Sequence, residues 1–128
     1  MATRSHIGKK LEDGSVKYIY CHWDGYPEHN GEILKRNYTD EAKVDSLLSL
    51  GDISVLGREI GGEQDFDRRE THNPNWCLAY GRDRGETDVK AKVIKSVEDY
   101  SYPGGVAYCY LFDGGEWRCF GHGGELKF

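Results

Sequence analysis

Two arginines, Arg82 and Arg84, lie between Gly81 and Gly85, directly after the apolar run Trp76-Cys77-Leu78-Ala79-Tyr80. A guanidinium presents a planar fork of donors that suits phosphate or carboxylate oxygens, and flanking glycines let a backbone take positive φ and approach a ligand closely. The pattern predicts an anion grip where a short buried strand runs into a turn. The simpler reading is a hairpin turn whose Arg82, Asp83 and Arg84 pair on the surface. If the residues form a grip, either arginine can be replaced with little effect on folding.

Other constellations carry weaker signals. His22, Asp24, Glu28 and His29 cluster at the exit of a predicted strand and could supply acid and base groups for phosphodiester hydrolysis. The same residues also suit an ordinary strand-to-helix turn in which Asp24 bonds its own backbone. Cys119-x-x-His122 is half of a zinc site, but the second pair is missing. No P-loop, dinucleotide fingerprint or nucleophile elbow occurs. The expectation is therefore no metal, no cofactor and no assigned catalytic residue.

The 128 residues suit one domain spanning the chain, and a formal charge of -5 argues against a protein that grips long nucleic acid through clustered cations. A small anionic ligand needs only two or three local cations, and an acidic surface also suits a basic patch on a partner protein. No apolar run approaches the ~20 residues that span a bilayer, and the amino terminus lacks a secretion signal, so a cytoplasmic protein with no membrane partner is expected. Its four cysteines should then be reduced thiols.

The elements that must position these groups follow from pattern. Asp13-Gly14 between alternating segments 2–9 and 16–23 predicts an opening hairpin, and Asp113-Gly114-Gly115 predicts a second one. Asn30 is a candidate cap for a short helix through Asn37, and Thr39 with Asp40 and Glu41 for a longer one ending near Gly51. Residues 52–57 read as an irregular turn and 57–75 as a long charged loop, either a lid or a solvated excursion. Val89, Ala91 and Val93 alternate as a half-exposed strand, and Leu126 or Phe128 could dock the tail. The predicted fold is α+β, an antiparallel sheet of about five or six strands with two helices packed on one face.

Alternation sorts the strand residues by face. Ile19, Cys21, Cys77, Ala79, Cys109, Leu111, Trp117 and Cys119 form the expected core side. Tyr18, Tyr20, His22, Trp76, Leu78, Tyr80, Tyr108, Tyr110, Phe112, Arg118 and Phe120 share the other. That aromatic side suits a stacking platform for a flat ring, an interface between copies, or a second core layer.

Several strings are specific: Thr3-Arg4-Ser5, Ile19-Tyr20-Cys21-His22-Trp23-Asp24-Gly25-Tyr26-Pro27, Leu50-Gly51-Asp52-Ile53-Ser54, Trp76-Cys77 with Tyr80-Gly81-Arg82-Asp83-Arg84-Gly85-Glu86, and Tyr110-Leu111-Phe112-Asp113 with Trp117. Through them the chain, over nearly its whole length, resembles a group of small proteins encoded by tailed phages and some bacteria. The resemblance brings no reaction with it, but it implies an accessory role against host defence or metabolism. The expected function is sequestration of a small anionic nucleotide, cyclic or adenine-containing, by a homo-oligomer. Arg82 and Arg84, assisted by Arg4 or Arg118, would take phosphate, and Trp23, Tyr26, Trp76 or Tyr80 would stack on the base. Two alternatives stay open: an acidic inhibitor of a host protein, and a nucleotide-degrading phosphodiesterase.

Overall fold

The opening hairpin forms as its turn chemistry dictates. Strands β1 (Ser5–Lys10) and β2 (Val16–Cys21) pair antiparallel with Ile7 opposite Ile19. Gly14 takes φ +90° in the connection, and Asp13 accepts hydrogen bonds from the Ser15 backbone N–H and hydroxyl. The computed structural model describes residues 2–128, so Met1 lies outside it.

Six further strands complete one sheet: β3 (Ile53–Val55), β4 (Leu78–Ala79), β5 (Lys92–Ile94), β6 (Tyr108–Asp113), β7 (Glu116–Gly121) and β8 (Gly124–Leu126). Their order is β4-β3-β2-β1-β6-β7-β8, with β5 also pairing β2. The helical segments are α1 (Glu32–Asn37), α2 (Glu41–Ser49), α3 (Tyr80–Arg84) and α4 (Val97–Tyr100), with a π-helical turn over Pro27–Gly31 and a 3-10 turn over Arg69–Thr71.

The expected antiparallel sheet of five or six strands is thus a mixed sheet of eight. β6 returns parallel beside β1, and β3 runs parallel to β2 at Cys21↔Ile53. Parallel pairing depends on where a distant segment re-enters, which no local pattern encodes. β3, β4, β5 and β8 are two or three residues long, too short to show alternation. The helices also depart from a single layer. Leu34 of α1 and Val44, Leu47 and Leu48 of α2 join a cluster with Ile7, Ile19, Cys21 and Tyr110, whereas Tyr100 of α4 joins a second with Val16, Cys109, Leu111 and Phe120.

Register explains a further correction. β6 sets Tyr110 beside Ile7 of β1 and opposite Cys119 of β7, so Tyr110 and Phe112 fall on the side of Ile19 and Cys21. Cys109 and Leu111 face the other way. A one-residue offset in pairing exchanges every side chain between faces, and the four cysteines accordingly do not share one side.

Asp40 rather than Thr39 caps α2, its carboxylate accepting from the Lys43 backbone N–H at 2.8 Å. The tail does dock: the Phe128 ring lies 5.8 Å from that of Tyr110 and under the Lys35 ammonium. No helix among the described residues is long and apolar enough to cross a membrane.

In the second cluster Tyr100 lies flat over Gly8, where an added Cβ would come within 2.9 Å of Val16 Cγ1 and 3.0 Å of the Tyr100 ring. Beside them the His6 ring sits 4.9 Å from Tyr18 and 6.4 Å from both Tyr20 and Tyr100. Burial, reinforced by the positive charge of Lys92, lowers the His6 pKa from 6.5 to about 4. Between those values the unfolded chain binds a proton that the folded one refuses. His6 therefore contributes stability above pH 6.5 that is lost as pH falls toward 4. Urea unfolding across this range should show the wild type losing stability relative to His6→Phe as the solution is acidified; parallel profiles would contradict it.

Candidate functional site

The predicted grip at Arg82 holds an anion supplied by the protein itself. Residues 80–84 form α3, closed by Gly85 at φ 74°, so the expected hairpin turn is a helix with a left-handed cap. Arg82 Nε donates to Asp83 Oδ1 at 2.9 Å and Nη2 to Asp83 Oδ2 at 3.1 Å. Nη1 donates to the Ile60 and Gly61 carbonyls at 3.0 and 3.2 Å, and Nη2 also reaches the Cys77 carbonyl at 2.8 Å. All the guanidinium donors are thereby matched. The Asp83 carboxylate is fully buried and also accepts from the backbone N–H groups of Ala79 at 2.7 Å and Gln64 at 2.8 Å.

Of the other expected ligand residues, Arg84 and Tyr80 are brought into contact. Arg84 is exposed, donates to Glu86 at 2.6 Å, and stacks over the rings of Phe66 and Tyr80 at 4.5 and 5.1 Å. Arg118 is held by Glu125 through two bonds of 2.9 Å and by Asp113 at 3.0 Å, which raises its pKa further. Arg4 is exposed at a shallow hollow beside Val106, Ala107 and His122. Trp76 fills the space above Gly61, and Tyr80 packs on Phe66. Trp23 meets His22 edge-on at 4.7 Å, and Tyr26 borders His29 at 5.9 Å.

The half-exposed aromatic face is present in part. Tyr18, Tyr20 and His22 share it, and the Tyr20 hydroxyl lies 2.8 Å from His22 Nδ1.

The groups that do converge line a cleft of about 570 Å³ elsewhere, within the ~300–1,000 Å³ range of small-molecule sites. One wall is the helical run from Pro27 through α1, contributing Glu28, His29, Glu32, Ile33 and Arg36. The other is the chain leaving β3, with Val55, Leu56, Gly57 and Arg58, backed by Pro74 and Asn75. The turn that opens it is welded in place. Asp24 takes the left-handed region at φ 57°, and the Gly25 N–H donates to the Thr3 carbonyl at 2.8 Å. A Cβ on Gly25 would lie 2.7 Å from that same carbonyl oxygen.

Charges of both signs line this cleft. Trp23 N–H pairs with the Ser54 carbonyl, which sets Asp24 near Val55. Arg36 lies in the last turn of α1, and Arg58 lines the same cleft from the chain leaving β3. Glu28, Glu32 and Arg36 follow at four-residue spacing, so Glu28 and Arg36 are on the order of 10 Å apart along the helical run. Arg36 pairs with exposed Glu32 at 3.0 Å, and Arg58 donates through Nε to Asn75 at 3.0 Å; among the described residues its terminal nitrogens make no hydrogen bond. Exposed pairs of this kind are weak and can be exchanged for a phosphate.

Asp24, Glu28 and His29 stand out as a cluster in the sequence, whereas Arg36 does not, and Arg58 falls in the 57–75 loop that reads as a lid or a solvated excursion. The four-residue repeat of Glu28, Glu32 and Arg36 is the local signal that could have found the wall. Nothing local indicates that Arg58 faces it. Thiol chemistry finds no support, because burial pushes Cys21 and Cys109 up to about 12 and Cys119 up to about 11.

Replacing Arg82 by Ala should destabilise the fold by ~3–5 kcal/mol, because a buried carboxylate loses its counter-charge. Arg84→Ala, which removes stacking and an exposed pair, should cost ~0.5–1 kcal/mol. Equal denaturation midpoints for the two variants would contradict the assignment of Arg82 to the fold.

No protein-family model, no curated protein and no solved structure matches the chain, so the chemistry of the cleft is what bears on function.

Proposed function

We propose that the chain binds and sequesters a small anionic nucleotide, cyclic or adenine-containing, in the cleft between the 24–37 segment and the 55–58 strand exit. In a phage setting such a ligand would be a host immune signal. The observation that carries the reading is one cavity of nucleotide size lined by both signs of charge, Arg36 and Arg58 together with Asp24, Glu28, Glu32 and His29. Phosphate oxygens suit the guanidiniums. Carboxylates and an imidazole suit ribose hydroxyls or the amino group of a base. Ile33, Leu56 and Pro74 give the apolar wall against which a nucleoside is desolvated. Arg82 and Arg118 are withdrawn as phosphate ligands because carboxylates and carbonyls of the protein engage them.

One observation favours a second reading, hydrolysis of the nucleotide. Asp24, Glu28 and His29 line the same cavity as the two arginines and could supply an acid and a base to a phosphodiester.

Mass spectrometry of small molecules released from the purified protein by heat, after incubation with AMP, ADP and cyclic dinucleotides, separates these outcomes. Intact nucleotide retained by the wild type supports sequestration, fragments support turnover, and the absence of nucleotide contradicts both. In a thermal-shift titration with the retained nucleotide, Arg36→Ala and Arg58→Ala should each weaken binding by ~1.5–3 kcal/mol, the loss of one charge-assisted hydrogen bond. Their unliganded melting temperatures should stay near that of the wild type because both side chains are exposed.

A further inference from the structure

The π-helical turn at Pro27–Gly31 sets His29 and Asn30 back to back. His29 faces the cleft, and Asn30 is fully buried behind it. The Asn30 side-chain amide has one possible orientation. Its Nδ2 lies 3.1 Å from the Trp23 carbonyl oxygen, which can only accept, and 3.4 Å from the Cys21 sulfur. Turning the amide over would press Oδ1 against that carbonyl. The Cys21 thiol is protonated, since burial pushes it up to about 12, and it spends its own hydrogen on the same carbonyl at 3.6 Å. Cys21 therefore acts toward Asn30 as an acceptor, which reinforces the orientation.

Asn30 Oδ1 is then left pointing at His29 Nδ1, 3.1 Å away. An amide oxygen only accepts, so Nδ1 must carry the hydrogen. In a neutral imidazole the other nitrogen, Nε2, is then bare, with its lone pair directed away from Asn30. Among the described residues no protein group is hydrogen-bonded to Nε2.

The geometry points to His29 as the residue that recognises a ribose hydroxyl of the bound nucleotide, with Asn30 as the positioning residue that fixes its tautomer so that Nε2 accepts. This assignment rests on the nucleotide reading of the cleft and names the ligand class within it: ribonucleotides, distinguished from analogues lacking the sugar hydroxyls. Phosphate at Arg36 and Arg58 anchors the ligand without reading the sugar, while the lone pair of His29 Nε2 in the same cleft accepts a hydroxyl proton that a dideoxy sugar cannot offer. Fixing the ring through a buried second partner removes the competing tautomer, which would present a donor to the hydroxyl instead.

Two measurements decide the matter. Long-range ¹H–¹⁵N spectra of the imidazoles at pH 8, on the wild-type protein without ligand, should show His29 protonated at Nδ1 with an unprotonated Nε2; an Nε2–H form or an even mixture overturns the positioning by Asn30. Calorimetric titration with AMP and with 2′,3′-dideoxy-AMP should give about five- to tenfold weaker binding of the dideoxy compound, the effect of one hydrogen bond. His29→Phe should abolish that difference while keeping the weaker affinity. Equal affinities in the wild type, or a difference that persists in His29→Phe, overturn the ribose assignment and leave phosphate binding standing. If the wild type binds neither compound, nor ADP nor a cyclic dinucleotide, while the Nδ1–H form is confirmed, the nucleotide reading itself has failed and takes the ribose assignment with it.

Discussion

A carboxylate buried without a counter-charge is among the most costly arrangements a small protein can contain, and this fold is organised around satisfying one. Asp83 draws in the guanidinium of its neighbour and two backbone N–H groups from separate segments. Arg82, once fixed there, spends its remaining donors on carbonyls of Ile60, Gly61 and Cys77. Two adjacent residues of one short helix thus hold a charged stretch poor in apolar side chains, which could not have ordered itself through burial alone.

The consequence reaches the cleft through the backbone. The stretch held by Arg82 and Asp83 bridges back at Glu59↔Trp76, with Glu59 N–H bonded to the Asn75 carbonyl and Cys77 N–H to that of Glu59. This brings Asn75 beside Arg58 and Pro74 to the cleft wall. Gly57 is tied down as well: its carbonyl accepts from the buried Tyr38 hydroxyl at 2.6 Å, and its N–H meets the Cys77 sulfur at 3.2 Å. An ion pair on the β4 side of the sheet therefore shapes one wall. The other wall is fixed by the Asp24-Gly25 turn and the buried Asn30.

Local chemistry announced much of this fold. Asp13-Gly14 and Asp113-Gly114-Gly115 marked their hairpins, and Asp40 with Glu41 marked the start of α2, because turn geometry and helix capping are written over a few residues. What failed was non-local. The parallel return of β6 beside β1 set the parity of Tyr110 and Cys109, and no stretch of sequence around them carries that information. The site followed the same division. The glycine-flanked Arg82 reads either as an anion grip or as a partner of Asp83, and in the structure it pairs with Asp83, buried rather than on the surface. Asn30 was read as a helix cap, whereas the π-turn carries it inside, where its amide serves the Trp23 carbonyl and His29. Arg36 and Arg58 stand twenty-two positions apart in sequence and line one cleft only because the exit of β3 lies alongside the helical run.

The central claim is that a nucleotide is held between the helical run and the exit of β3, with its phosphate toward Arg36 and Arg58. Amide chemical-shift mapping of the ¹⁵N-labelled protein during addition of AMP tests it most directly. The account predicts shifts concentrated in residues 24–37, 55–58 and 74–75. Shifts confined to Tyr20, His22, Tyr80 and Arg84, or none at saturating AMP, would contradict it.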